Sequence, residues 1–160
     1  MKKQALAPCT KAESKKGEWK MLSIAVDSGA CQSVMDPEDV PDYEVTETAE
    51  SRRGENFNSA TGEEIPNLGE IKIPMVTREM SIRSMRFAAA PVTKPLGSVK
   101  SMNKANHIVL FDEAGSFIMN KATGEVNMLR EEDGNFILDV WVPPPKMSAE
   151  EAAASFHRQP

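Results

Sequence analysis

Short runs of alternating apolar and polar residues, separated by residues that favour turns, repeat along most of this 160-residue chain. The clearest run spans residues 22–26, where Leu22, Ile24 and Val26 fall on one face of an extended strand. Several short strands at this spacing are typical of an all-β barrel or sandwich, in which the apolar faces pack together. The sequence therefore predicts an all-β fold.

The remaining elements follow the same rules of alternation and turn chemistry. Further strands are expected at residues 43–48, 68–74, 80–87, 108–111, 116–120, 125–130 and 135–142. Residues 56–66 are predicted to form a hairpin that turns at Thr61 and Gly62, where glycine supplies a positive φ. Residues 51–54 form a charged connection, and residues 96–105 form one or two helical turns. The prolines at 143–145 end the sheet, because proline has no N–H to donate.

The composition supports one ordered domain with two tails. Hydrophobic residues make up 40% of the chain, which is enough for a packed core. Residues 1–18 are Lys-rich and poor in large apolar side chains, so we expect a flexible basic tail. Residues 19–142 form the β domain. Residues 143–160 are expected to form a Pro-rich linker and a short, weakly held helix. A capping box of Ser148 and Glu151 marks the start of this helix.

Charge and hydropathy exclude several classes of partner. The chain has 19 Lys and Arg against 24 Asp and Glu, a net charge of -5, whereas proteins that clamp nucleic acid are normally basic. No apolar run is long enough to span a membrane, and the first residues lack the apolar centre of a signal peptide. We therefore expect an intracellular, cytoplasmic protein that binds neither nucleic acid nor a membrane through this domain.

Cysteine and histidine are too few and too scattered for most metal chemistry. Cys9 and Cys31 lie far in sequence from His107 and His157, so no zinc pattern of the usual spacing is present. Reduced thiols are expected in an intracellular protein. We interpret Cys31 as a small buried apolar residue rather than a nucleophile. The sequence therefore predicts no metal site.

One short sequence motif indicates a candidate catalytic site. The alternating strand at residues 22–26 leads directly into Asp27, Ser28, Gly29 and Ala30. Taken alone, the tripeptide Asp-Ser-Gly is a weak signal, since a turn that ends a strand has the same composition. Its position directly after an alternating strand strengthens it.

In order and spacing, residues 19–142 resemble the retropepsin-like aspartic protease domain of a copia-like retrotransposon polyprotein. The matching segments are the strand and loop at residues 25–30, a hairpin with an Ala-x-Gly tip at residues 59–66, the Leu-x-Ser-Val segment at residues 96–99, and the strands at residues 108–112 and 136–142.

This resemblance implies a closed β-barrel with one short helix, active as a homodimer on an extended polypeptide, without a cofactor. Asp27 would be the catalytic residue, and Ser28, Gly29 and Ala30 would support the active-site loop. Ala60, Thr61 and Gly62 would form a flap over the substrate, and Leu96, Ser98 and Val99 would pack near the site. The expected role is proteolysis that matures the element's own polyprotein.

The implied chemistry needs two carboxylates. When two lie a few Å apart they share one proton: the ionised member takes a proton from the attacking water, and the protonated member hydrogen-bonds the peptide carbonyl. This chain supplies one such loop. The second Asp27 must therefore come from a second copy, across a two-fold axis.

Two alternatives stay open. The flap has one glycine and two acids, Glu63 and Glu64, where retroviral enzymes have a glycine-rich tip, and Leu96 to Val99 only approximates the retroviral segment. A catalytically decayed copy could serve as a binding or dimerisation module. An unrelated all-β interaction domain could also carry Asp27, Ser28 and Gly29 by chance.

Overall fold

The computed structural model describes residues 18–147, 151–152 and 154–155. Residues 18–147 form eleven strands, two short α-helices and one 3₁₀ turn at Pro37–Asp39, and residues 151, 152, 154 and 155 are also helical. The strands are β1 (Lys20–Asp27), β2 (Val34–Met35), β3 (Phe57–Asn58), β4 (Glu64–Ile65), β5 (Gly69–Thr77), β6 (Ile82–Ala89), β7 (Leu96–Ser98), β8 (His107–Leu110), β9 (Ser116–Asn120), β10 (Val126–Glu132) and β11 (Asn135–Val142). The helices are α1 (Ala49–Arg52) and α2 (Val99–Lys104).

Nine of the described strands pair in one large sheet, in the order β1-β7-β2-β6-β5-β11-β10-β9-β8. Strand β1 also pairs with β11 along its length, from Lys20 opposite Val142 to Val26 opposite Phe136. The pairing from β1 to β11 thus returns to β1, and β10, β9 and β8 continue outward as a meander. Strands β3 and β4 form a separate hairpin. The protein is therefore mostly β, as the alternation predicts.

The core lies against the inward faces of these strands. Leu22, Ile24 and Val26 are all buried, which confirms the apolar face predicted for β1. Ile71 and Ile73 of β5 are fully buried with Phe87 of β6. Each buried aliphatic side chain contributes roughly 1.5–3 kcal/mol. Alternate burial therefore holds β1, β5 and β6 in one register, because a slip of one residue would expose the apolar face.

The segment at residues 43–48 is not a strand, contrary to prediction. Only Thr46 pairs, in an isolated bridge with Glu70 of β5. Tyr43 instead donates its hydroxyl to the backbone oxygen of Pro143 at 2.6 Å. Thr48 and Ser51 form a capping box at the start of helix α1, so Ser51 and Arg52 of the predicted charged connection are helical.

Most other boundaries agree with prediction to within a few residues. Strand β5 runs past Pro74 to Thr77, and Met80 lies in the following turn with a φ of 67° rather than in β6. The predicted helical segment at 96–105 begins as a short strand, β7, and becomes helix α2 after Ser98. The four strands of the C-terminal meander are confirmed, and β11 ends at Val142, directly before the prolines.

The predicted tails fall largely outside the described residues. Residues 1–17 and Ser148 of the predicted capping box lie there. In the described part of the C-terminal segment, Ala152 is buried and Ser155 accepts a hydrogen bond of 3.2 Å from Trp19 Nε1. Of the helices that the described residues form, none has the length and hydropathy needed to cross a membrane.

Candidate active site

Asp27 is the last residue of β1 and is exposed to solvent. Its Oδ1 accepts a hydrogen bond of 2.7 Å from the backbone N–H of Gly29, which closes a tight turn after the strand. A Cβ at Gly29 would lie 3.3 Å from that same oxygen, so glycine leaves the carboxylate room. The buried strand thus ends in a carboxylate that is fixed by its own loop and open to solvent.

The side chains after Asp27 divide between solvent and core. Ser28 and Gly29 are exposed, and Ser33 and Met35 are buried. Cys31 is an exposed free thiol, so its interpretation as a buried apolar residue is wrong. The chain turns sharply at residues 28–30, and the side chains that face inward resume only at Ser33.

Strand β7 and the start of helix α2 hold the loop that follows Asp27. Ser98 is fully buried and lies opposite Asp27 in the parallel β1–β7 pairing. Its hydroxyl donates to the backbone oxygen of Ala30 at 2.7 Å and accepts from the N–H of Ser101 at 3.2 Å. Its own N–H donates to Ser33 Oγ at 3.0 Å. Ser98 therefore caps helix α2 and fastens the Asp27 loop with the same side chain.

Leu96 and Val99 belong to the same segment as Ser98. Leu96 pairs with both Ala25 of β1 and Val34 of β2, so β7 lies between them. Val99 packs against the core from the first turn of α2. The structure thus brings Ser98 against the Asp27 loop and places Leu96 and Val99 beside it.

Substitution of Ser98 by Ala should destabilise the protein by about 2 kcal/mol, because the Ala30 carbonyl of the loop and the N-terminus of α2 both lose a hydrogen-bond partner. For a chain of this size, the melting temperature should fall by roughly 4–8 °C. Thermal denaturation followed by circular dichroism measures the change. Ser84→Ala, at an exposed position of β6, is the matched control and should leave the melting temperature unchanged. Equal stability of the two variants would contradict the role given to Ser98.

The segment predicted to be the flap is a short hairpin, and the hydrogen bonds of its tip lie within the hairpin. Phe57 pairs with Ile65 and Asn58 with Glu64, and Gly62 has a φ of 84°, which confirms the predicted turn. The tip residues Ala60, Thr61 and Gly62 are exposed. Their hydrogen bonds are internal to the hairpin, such as Gly62 N–H to Ser59 O at 3.0 Å. Among the described residues, no hydrogen bond joins this tip to the Asp27 loop.

A cleft of about 820 Å³ opens between the base of this hairpin and the sheet. Gln32 and Ser33, just beyond the Asp27 loop, line it together with Asn56 and Phe57 of the hairpin base. Its floor includes apolar side chains of β6 and α2, namely Met85, Phe87 and Met102. The volume is in the range of ligand-binding pockets. Asp27 and the hairpin tip are not part of its lining.

An ion-pair network around the buried Asp139 contacts β1 at Ser23, four residues before Asp27. The side chain of Asp139, on β11, is only 4% exposed. It accepts hydrogen bonds from Arg130 Nε at 2.7 Å, Ser23 Oγ at 2.7 Å and Arg78 Nη2 at 3.1 Å. Burial alone would raise the pKa of Asp139, but the hydrogen bonds from Arg130 and Ser23 and the charges of Arg130 and Arg78 outweigh it. The pKa is therefore lower than usual.

Sequence reasoning missed several residues around the site. Ser33 and Gly97 hold the loop and the β7 segment: a Cβ at Gly97 would lie 3.1 Å from Ile24 Cγ2. Gln32 and Phe57 line the cleft. Their contacts all join residues distant in sequence, so no local pattern marks them. Gly97 is the exception, since a glycine beside the predicted Leu-x-Ser-Val residues signals close packing.

Within the part of the chain that the structure describes, no cluster of three or more His, Cys, Asp or Glu side chains could hold a metal ion. Comparison with protein-family models, curated proteins and solved structures returned no match.

Proposed function

We propose that the protein is an aspartic endopeptidase of the retropepsin type, which acts as a homodimer with one Asp27 from each subunit. The six paired strands that close on β1 would be the barrel of such an enzyme. The substrate would be an extended polypeptide, and polyprotein processing in a copia-like element is the role that fits the resemblance.

The observation that carries this proposal is the position of Asp27. Its carboxylate is exposed at the end of a buried strand, and its loop is fixed by Gly29 and by the buried hydroxyl of Ser98. Positioned carboxylates are what general acid–base catalysis requires. The chain offers one such loop, so a second carboxylate would have to come from a two-fold related copy.

The chemistry of the proposed dimer is hydrolysis by an activated water. With one proton shared between the two Asp27 side chains, the ionised carboxylate removes a proton from water as the oxygen attacks the peptide carbon. The protonated carboxyl donates a hydrogen bond to the carbonyl oxygen, where negative charge develops. Collapse of the tetrahedral intermediate then breaks the C–N bond, and the carboxyl that took a proton from water gives it to the leaving amine.

The hairpin at residues 56–66 and the cleft beneath its base support a role in binding peptide. A two-stranded hairpin with an exposed tip could close over an extended chain and exclude water. The apolar floor at Met85 and Phe87 would accept apolar side chains of a substrate. Closure would have to move the tip toward Asp27.

Cleavage of a random peptide library at mildly acidic and neutral pH tests the proposal. The purified protein should cut peptides at defined positions, and a statine-type inhibitor should stop the reaction. No cleavage at either pH, or cleavage that the inhibitor leaves unchanged, would contradict the proposed activity.

One observation favours a second candidate, a catalytically decayed domain that keeps the fold as a binding or dimerisation module. The cleft excludes both Asp27 and the tip residues Ala60 to Gly62. A protein that sediments as a dimer but cuts no peptide in the library would support this second candidate over the first.

A further inference from the structure

The meander formed by β8, β9 and β10 carries an apolar surface on its outer face. We call this surface the meander face; its residues are Ile108, Leu110, Phe117, Met119, Val126 and Met128. They form two rows across the three strands, because Met119 lies between Ile108 and Val126, and Phe117 between Leu110 and Met128. Met128 is 50% exposed and Leu110 39%. Adjacent exposed apolar residues of this kind mark interaction sites.

Strand β8 is the last strand of the sheet, so its outer side pairs with no strand among the described residues. Lys121 N–H donates to Asn106 O at 3.0 Å, which sets the alternation of the antiparallel β8–β9 ladder. The backbone N–H and C=O groups of Ile108 and Leu110 therefore form hydrogen bonds with β9. The backbone N–H and C=O groups of His107 and Val109 point to the open side, where an additional strand could pair with them.

One end of the meander face has a depression and an acidic rim. A hollow of about 480 Å³ is lined by Leu110, Phe111, Phe117 and Met128. Phe111 is held in place by stacking on Phe136, with ring centroids 4.4 Å apart. The β8–β9 turn beside the hollow carries two exposed acids, Asp112 and Glu113. Neither forms an ion pair with another described residue.

We propose that the meander face and the β8 edge bind an extended segment of another polypeptide, which adds to β8 as a further strand. Its alternate apolar side chains would cover Ile108 and Leu110, and one large apolar side chain would fill the hollow beside Phe117. A Lys or Arg next to that anchor would pair with Asp112 and Glu113. Main-chain hydrogen bonds supply affinity in this mode, and alternate side chains supply specificity.

Charge and composition favour a segment of another polypeptide over two other candidates for this surface, a second copy of the chain and its own residues 1–17. A second copy docked through the same face brings the same two exposed acids, Asp112 and Glu113, to the contact, so the two rims do not complement each other. Residues 1–17 are basic, but Met1 and Leu6 are the only large apolar side chains in that segment. This binding surface is independent of Asp27 and goes beyond the proposed peptidase activity.

A fluorescent synthetic peptide of sequence Thr-Val-Thr-Val-Thr-Phe-Lys-Lys tests the inference by anisotropy. The full chain carrying Asp27→Asn is used, so the probe is not cleaved and the outcome is separate from that of the peptidase test. Ile108→Lys and Leu110→Lys, on β8 itself, should each weaken binding by about tenfold or more. Ile82→Lys is the matched control, since Ile82 is 43% exposed on β6, and should bind as before. Circular dichroism checks that each variant is folded.

Two forms of the probe, N-methylated at alternate amides, test strand addition directly. Methylation of the set that faces β8 should abolish binding, and methylation of the other set should leave it unchanged. Three results would overturn the inference: no binding of the probe at millimolar concentration, equal binding of the two methylated forms, or self-association that Leu110→Lys removes. The third would assign the surface to a second copy.

Discussion

Asp27→Asn is expected to lower the rate of peptide cleavage by about a thousandfold or more, because the pair of carboxylates loses its general acid and base functions. The variant should keep its melting temperature. Asp27 is exposed, and Asn retains the Oδ1 that accepts the hydrogen bond from Gly29. Steady-state cleavage of the best library peptide gives the rate, and circular dichroism gives the stability.

Asp36→Asn is the matched control. Asp36 Oδ1 also accepts a backbone hydrogen bond two residues ahead, from Glu38 N–H at 2.9 Å. The residue stands at the start of the 3₁₀ turn, Pro37–Asp39, and has no proposed part in catalysis. Its substitution should leave the cleavage rate unchanged. A rate for Asp27→Asn close to that of Asp36→Asn would rule out the proposed mechanism.

The second large effect concerns stability. Asp139→Asn should lower the free energy of unfolding by about 3 kcal/mol, since the hydrogen bonds that Arg130, Arg78 and Ser23 donate to the buried carboxylate lose their charged acceptor. The melting temperature should fall by roughly 6–12 °C. Arg78→Gln is the control, because the Arg78 side chain is 65% exposed and an exposed partner contributes about 1 kcal/mol or less. An Asp139→Asn variant as stable as Arg78→Gln would contradict the account of this network.

The difference in unfolding free energy between wild type and Asp139→Asn should shrink at acidic pH. Because the pKa of Asp139 in the folded protein lies below its ordinary value of 3.8, the carboxylate stabilises the fold fully above that value. The contribution is lost as pH falls from there through the folded pKa. The gap between wild type and Asp139→Asn should therefore stay constant near neutral pH and shrink below about pH 4. Denaturant unfolding at several pH values measures it.

The alternation of apolar residues and the positions of turn-forming glycines predicted the strands and hairpins that depend on local sequence. Leu22, Ile24 and Val26 alternate, and the same alternation is buried in β1. The turn residues Gly62, Gly124 and Gly134 all adopt positive φ values, so the predicted hairpins form where glycine permits them. Ser98 was expected near the site because of the family resemblance, and its hydroxyl contacts the Asp27 loop.

Contacts between distant residues decided the rest. The strand predicted at residues 43–48 failed because Tyr43 bonds to Pro143 and Thr48 caps a helix, and neither partner is visible in a local window. Cys31 was misplaced because alternation does not continue through the sharp turn after Asp27. The meander face was also missed: alternation at Ile108 and Leu110 gives two faces but does not say which one the sheet buries.

The most direct test of a shared active site is the cleavage rate in mixtures of wild-type and Asp27→Asn subunits at constant total protein. Where the subunits reassociate freely, only dimers with two Asp27 side chains should be active, so the rate should fall with the square of the wild-type fraction. At equal amounts about a quarter of the activity should remain. A rate that falls in direct proportion, with about half remaining, would contradict the account, because each chain would then be acting through its own Asp27 alone.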